Sequence, residues 1–282
     1  MASFGRPFYF MKHIFTLLVI LLAASPAFGQ ELYVFSEPAS NVPAHTITPK
    51  IKFMGAERLE KDFFQRYTPE VMFGLSNKFM FRISSTVSNM HTNGLEWESV
   101  NAYAKYRFLS KDKVHRHFRM AAFAETGYSN NPLYFDEISI KGDNSGFDFG
   151  LIATQLIYKT AISATAAFIQ VFGEESEHLH QEPVRSALNY SLSAGYLVLP
   201  RIYESFEQLN FNIYMELLGQ QSINRDAYFV DLAPAVQFIF NSNSKLNLGY
   251  RFQLAGNANR GMERSFLVSF EHSFFNALKK KK

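Results

Sequence analysis

The 282-residue sequence contains no cysteine. No disulfide framework is therefore available to the fold, and no thiol chemistry to a site. Charge of one sign is also scarce: 28 Lys and Arg against 25 Asp and Glu leave a formal +3, too little to argue for a nucleic-acid partner. Beyond the first 30 residues charged or polar side chains interrupt every apolar stretch, so no segment reads as a transmembrane helix. Helical periodicity of useful length is missing as well. No Gly-x-Ser-x-Gly pattern marks a hydrolase nucleophile, although a triad assembled only in space would leave no such pattern.

Aromatics, by contrast, are abundant: 30 Phe and 14 Tyr make up most of a 16% aromatic fraction that needs a core or a surface to hold it. The beginning of the chain reads as a removable secretion signal over residues 1–29. Lys12 and His13 form a basic start, Ile14 to Ala23 an apolar stretch, and Ala27-Phe28-Gly29 a small-x-small cleavage site; Met11 is an alternative start. The apolar stretch is shorter than the roughly 20 residues that span a bilayer, which argues against an anchor. Cleavage leaves about 250 residues, enough for one large β domain or two smaller ones.

Period two runs through nearly all of the remainder. It predicts twelve strands at 45–55, 66–75, 79–87, 95–109, 115–128, 146–158, 161–172, 186–199, 209–219, 227–240, 245–254 and 262–275. Alternate connections are mostly short, such as Ser76 to Lys78 and Lys159-Thr160. The intervening ones include the longest and most polar, Ser129 to Ser145 and Gly173 to Arg185. Short turns at one end and long loops at the other are the habit of outer-membrane barrels, with turns in the periplasm and loops outside.

The two faces of each strand decide the solvent. In "LNLGYRFQL", Leu246 to Leu254, one side carries Leu246, Leu248, Tyr250, Phe252 and Leu254, and the other Asn247, Gly249, Arg251 and Gln253. Elsewhere the apolar side carries sets such as Phe79, Phe81 and Ile83, or Phe211, Ile213, Met215 and Leu217. The opposite side carries mid-strand charges that a dry sandwich core would hold only at a large desolvation cost. The strands are also longer than the usual 5 to 6 residues of globular sheets. The expected fold is therefore all-β, a transmembrane antiparallel barrel of the outer-membrane type spanning residues 45–275, with Tyr67, Tyr128, Tyr158, Tyr196 and Phe274 as interfacial aromatics. Pro234 lacks a ladder donor inside a regular strand and predicts a bulge there. The alternative is a secreted soluble β protein.

The stretch "LAPAVQFIFNSNSKLNLGYRFQL" resembles the closing hairpins of Gram-negative outer-membrane transport proteins, the phenol-degradation meta-pathway outer-membrane family in particular. "ELYVFSEPASNVPAHTI" is similar to the lead-in of barrels from the Bacteroidota. The resemblance implies fold and an outer-membrane location more than a substrate, together with insertion by the barrel-assembly machinery. One departure is the ending: Phe274 and Phe275, candidates for the terminal aromatic that this machinery reads, are followed by residues 276–282, a basic tail expected in the periplasm.

Function is expected in the lumen. Lys50, Lys52, Arg82, Lys105, Arg107, His117 and Arg119 point inward along one side of the barrel, mostly in its periplasmic half. The inward acids Glu70, Glu125, Asp148, Glu216 and Asp231 lie in the outer halves, with Glu271 the exception, and Arg251 joins the lining. A cationic wall in a narrow pore would favour anions, so the reading is a passive pore or small-solute transporter with lipid around it, no cofactor and an anion preference. The competing reading pairs these charges across the lumen and closes it, giving a structural or adhesion barrel narrowed by Tyr103, Phe123, Tyr214 and Leu218; an outer-membrane enzyme is a further alternative. Residues 30–44 either fold into the lumen or hang in the periplasm, with Glu37-Pro38 and Val42-Pro43 favouring an extended form. His178 and His180 in "GEESEHLHQEPVR" are weak metal candidates, as is the pair His115 and His117.

Overall fold

The computed structural model describes residues 33–57, 63–92, 94–176, 182–202, 205 and 207–279. Twelve strands run β1 (Thr46–Glu57), β2 (Phe63–Gly74), β3 (Phe79–Ser88), β4 (Glu96–Lys113), β5 (Arg116–Ser129), β6 (Ser145–Ile157), β7 (Thr160–Phe172), β8 (Ser186–Leu199), β9 (Asn210–Ser222), β10 (Tyr228–Phe240), β11 (Ser244–Gly256) and β12 (Arg264–His272). Each pairs antiparallel with its neighbours in sequence, and β1 closes on β12 through registers such as Lys50 with Glu271 and Phe53 with Val268. Closure leaves no unpaired sheet edge, the condition for placing strands in lipid.

Alternation sets the two surfaces. Along β11, Lys245 and Asn247 are buried inside while Leu248, Tyr250 and Leu254 are exposed outside. The pattern repeats at Phe149 and Leu151 of β6 and at Leu188 and Leu192 of β8, all about half exposed. In water this belt would greatly exceed the few hundred Å² of contiguous apolar surface that soluble monomers tolerate; in hydrocarbon it is the matched surface. Trp97 stacks on Tyr128 at the end carrying the longer loops, and Tyr158 stacks on His115 at the end carrying the turns.

Several strand bounds shift by two or three residues, β12 for instance covering Arg264–His272 instead of 262–275, and two further differences have a visible cause. Strand β4 runs through Lys113, because pairs from Leu109 with Met120 to Lys113 with Arg116 carry the β4–β5 hairpin past the expected turn at 110–114. The register shift in β10 falls between Val230 and Asp231, not at Pro234. On the β11 side the pairing passes from Leu232 to Ala235 and leaves Ala233 and Pro234 outside it, so the proline's missing donor is accommodated by a gap in the ladder.

Candidate functional site: an occupied lumen

Residues 33–44 fold into the barrel and lie against the inner wall. Pro38 and Pro43 hold the residues before them extended, so the segment cannot satisfy its own backbone and borrows partners from the strands. The Glu216 carboxylate on β9 accepts N–H bonds from Val34, Phe35 and Ser36 at 2.9, 3.0 and 2.8 Å. Ser193 of β8 donates to the same carboxylate at 3.2 Å and shares a hydrogen bond with the Ser36 hydroxyl at 2.8 Å. The Ala39 amide donates to Thr154 Oγ1 at 2.9 Å. The lead-in carbonyls are met from the opposite wall, where Lys105 Nζ donates to Pro38 O at 2.8 Å and Ser40 O at 2.9 Å.

Glu37 supplies the charge. Its carboxylate pairs with Arg82 Nη1 and lies 3.2 Å from Lys105 Nζ. Burial alone would raise the Glu37 carboxyl, but Arg82 and then Lys105 outweigh it and hold the group well below the ordinary carboxylate range. Arg82 is fixed from two further sides, by Glu125 at 3.4 Å and by the face of Tyr103 at 4.3 Å. Apolar contact adds to the docking: Tyr33 and Val34 pack with Tyr214, Ala235 and Leu267.

From the other end the loop between β5 and β6, residues 130–144, turns inward. Leu133, Ile138 and Ile140 are almost fully buried against Ile169, Val171 and Val184. Gln220 of β9 holds the Ile138 backbone reciprocally, accepting its N–H at 2.9 Å and donating to its carbonyl at 2.8 Å. Charge pairs pin the rest: Asp143 to Arg66, Lys141 to Glu125 at 3.6 Å, and Glu137 to Arg251 and Arg260 at 2.9 and 2.8 Å. Burial would raise the Glu137 carboxyl, but these two arginines lower it. Between the lead-in and this loop lies a cavity of about 250 Å³, with Val34 and Phe35 on one side, Phe135 and Glu137 on the other, and Lys52, Glu70, Arg82 and Arg251 around the wall.

The inward residues expected from periodicity all lie on the strand faces that look into the barrel, and most are paired. Lys50 meets Glu271 at 3.5 Å, Lys52 meets Glu70, and Asp231 meets both Arg251 and Arg260. Arg119 donates to Ser40 Oγ at 2.7 Å and contacts Asp112 at 3.2 Å, while His117 Nδ1 is 2.8 Å from the same Asp112. Arg107 sits opposite Ala121 towards the turn end of β4. Tyr103 stacks on Phe123, which narrows the interior as their size suggests.

Glu37, Glu137, Asp143, Lys141, Arg66 and Arg260 were not among the expected lining residues. The alternation of Ile138 and Ile140 with charges in the longest loop was the available signal that it folds inward. His115 is in the turn against Tyr158 and His117 is on Asp112, so the histidine pair does not converge on one point. Among the described residues no group of three or more His, Asp or Glu is placed to hold a metal ion. His178 and His180 lie outside the described residues, as do residues 1–32 and 280–282.

The sequence matches no protein-family model and no curated protein. Among solved structures, an outer membrane channel from Pseudomonas putida F1 is 12% identical with a TM-score of 0.50, over 86% of this chain and 100% of that one. The NanC porin is 11% identical with a TM-score of 0.51, over 80% of this chain and 98% of that one. At these identities the likeness is one of fold: this chain folds as an outer-membrane-type β-barrel.

Proposed function

We propose that the protein is an outer-membrane channel for small polar solutes, reached by way of a cleaved secretion signal over residues 1–29 and inserted by the barrel-assembly machinery, with residues 276–282 left on the periplasmic side. The observation that carries the reading is that two chain segments outside the sheet, the lead-in and the 130–144 loop, fold into the lumen among the strands' own side chains. Besides the apolar contacts of Tyr33, Val34 and Val42, the lead-in is attached to the barrel wall through hydrogen bonds and ion pairs, contacts that water and a polar solute can replace. Passage requires the lead-in to leave the wall, and the cations it then uncovers, Arg82 and Lys105, give the open form a preference for anions. The fold likeness to a channel and a porin agrees with this reading, as does the resemblance of residues 232–254 to the phenol-degradation meta-pathway family.

The test is single-channel conductance of the refolded protein in a planar bilayer under a salt gradient, compared with Arg82→Gln/Arg107→Gln/Arg119→Gln. Discrete anion-selective steps in wild type that lose selectivity in the variant are expected. A folded barrel that never conducts in either form overturns the channel. A structural or adhesion barrel with a permanently closed lumen is the second reading, favoured by the burial of Leu133, Ile138 and Ile140 at the loop end, and silent bilayers would leave it standing.

A further inference from the structure

The Arg82–Lys105–Glu37 cluster has an asymmetry that bears on what the lumen binds. Both cations are on strands: Arg82 of β3 is paired with Tyr103 of β4, and Lys105 follows Tyr103 on the same inward face. Diagonal neighbours on one face of a sheet stand close enough for long side chains to meet at one point. Their positions are fixed by the ladder and, for Arg82, by Glu125 and the Tyr103 ring. The anion between them belongs to a segment outside the sheet, held by side chains of the strands and not by a β ladder. We propose that Arg82 and Lys105 form a carboxylate-binding site, that Glu37 is its tethered occupant, and that small carboxylate solutes compete with Glu37 for it and so release the lead-in. The inference rests on the channel reading for its biological use, but the site can be tested without it.

Access comes from the cavity. Arg82 and Glu125 line its wall, and the Glu37 side chain keeps 28% of its exposure although both its cationic partners are nearly sealed. A solute in the cavity therefore meets the pair at Arg82, the member that lines it. Glu37 also leaves donors over: Arg82 Nε is buried with no hydrogen-bond partner among the described residues. A free carboxylate, not constrained by a backbone, can rotate into the side-on bidentate geometry that a guanidinium prefers.

The occupant indicates the class. With Glu37 withdrawn, Arg82 and Lys105 keep Glu125, which Lys141 also pairs, and Glu70, which Lys52 pairs, so the cluster is left with a surplus of positive charge. A small carboxylate presents to Arg82 and Lys105 the same group that Glu37 presents in the docked form. The cavity is smaller than the 300 to 1,000 Å³ usual for drug-sized ligands, which restricts the solute to a few carbon atoms beyond the carboxylate. Competition is set by the tether: a short flexible link gives an effective concentration on the order of millimolar, so a free carboxylate displaces Glu37 only at comparable or higher levels.

The absence of cysteine allows a direct test. Val42→Cys places one thiol in the lead-in, beside Met72 and Met80 in the docked form, and leaves Arg82, Lys105 and Glu37 untouched. The full chain is refolded, and the rate of thiol alkylation is followed against propionate, the Glu37 side chain cut at its backbone, with sodium chloride at matched ionic strength as the control. Saturable acceleration by propionate, roughly tenfold and half-complete in the millimolar range, with chloride nearly inert, is expected. Adding Glu37→Gln should make alkylation fast and indifferent to propionate, and adding Arg82→Gln to the Val42→Cys chain should remove the propionate response. Equal effects of propionate and chloride, or no effect of either, overturn the site. Bilayer currents are recorded separately: a propionate response without conduction sinks the channel and keeps the site, and conduction without a response does the reverse.

Discussion

Arg260 and Asp231 meet in a bidentate pair in which neither side chain retains any exposure, with Nη1 to Oδ1 at 2.7 Å and Nη2 to Oδ2 at 2.8 Å. Arg260 lies in the connection between β11 and β12, and Asp231 lies on the inner face of β10. Glu137 accepts from Arg260 Nε at 2.8 Å, so one guanidinium ties the inner wall to the 130–144 loop. The Phe229 ring lies 3.8 Å below it.

Arg260→Met removes this tie without emptying the space. Asp231 and Glu137 are then left to share Arg251, and breaking a buried pair from one side costs about 3–5 kcal/mol. The expected result is a lower denaturant midpoint for the lipid-reconstituted barrel and faster proteolysis within 130–144. An unchanged midpoint would mean that water already hydrates these charges and that the loop end of the lumen is wet.

Glu216→Gln separates the docking of the lead-in from the stability of the barrel. The carboxylate accepts three backbone N–H groups, and a neutral amide offers one acceptor oxygen and turns a donor towards the others. Hydrogen bonds to charged groups are worth about 1.5–3 kcal/mol each. Losing one such bond raises undocking by a factor of about 10 to 150. Limited proteolysis of residues 33–44 should accelerate accordingly while the strands resist as before. Loss of both together would show that the lead-in is an integral part of the barrel core.

Leu151→Arg asks which solvent surrounds the barrel. Leu151 is at the middle of β6, half exposed, between Ala122 and Ala166. In a bilayer an arginine at mid-depth on the lipid face costs about 2–4 kcal/mol, whereas an exposed surface change in water stays within about 0.5 kcal/mol. Equilibrium unfolding in lipid vesicles should show the larger loss. The smaller value would return the chain to the soluble class.

Most of the fold was legible because a side-chain period of two needs no distant information. Strand β8 begins and ends where periodicity puts it, at Ser186 and Leu199, and charges such as Arg82 and Asp231 could be assigned to the inner face from their neighbours alone. What each charge touches was not legible. Glu37 reaches Arg82 across 45 residues, and Glu137 reaches Arg260 across 123; such pairings follow from barrel closure and from where two non-strand segments come to rest, neither of which leaves a local pattern. The inward cations read either as an open wall or as charges paired across the lumen; periodicity could not show that some of their partners stand outside the strands, Glu37 of the lead-in on Arg82 and Glu137 of the long loop on Arg251.

Glu37 makes the docking of the lead-in dependent on pH in a defined direction. Burial opposes its ionisation, and Arg82 and Lys105 favour it more strongly, so its folded value lies far below the ordinary 4.5. A depressed acid contributes stability that is fully present above its unfolded value and is lost as the pH falls from there through the folded value. Between pH 7 and about 5.5 the lead-in should therefore stay docked, and its hold should weaken progressively below about 4.5 as protons compete with Arg82. Pepsin, active in that range, supplies the measurement: cleavage of residues 33–44 in the reconstituted protein should rise steeply with acidity after correction for the enzyme's own profile. Glu37→Gln should be cleaved readily at every pH and lose the steep rise. A wild-type rise that survives in Glu37→Gln would remove Glu37 from control of the lead-in.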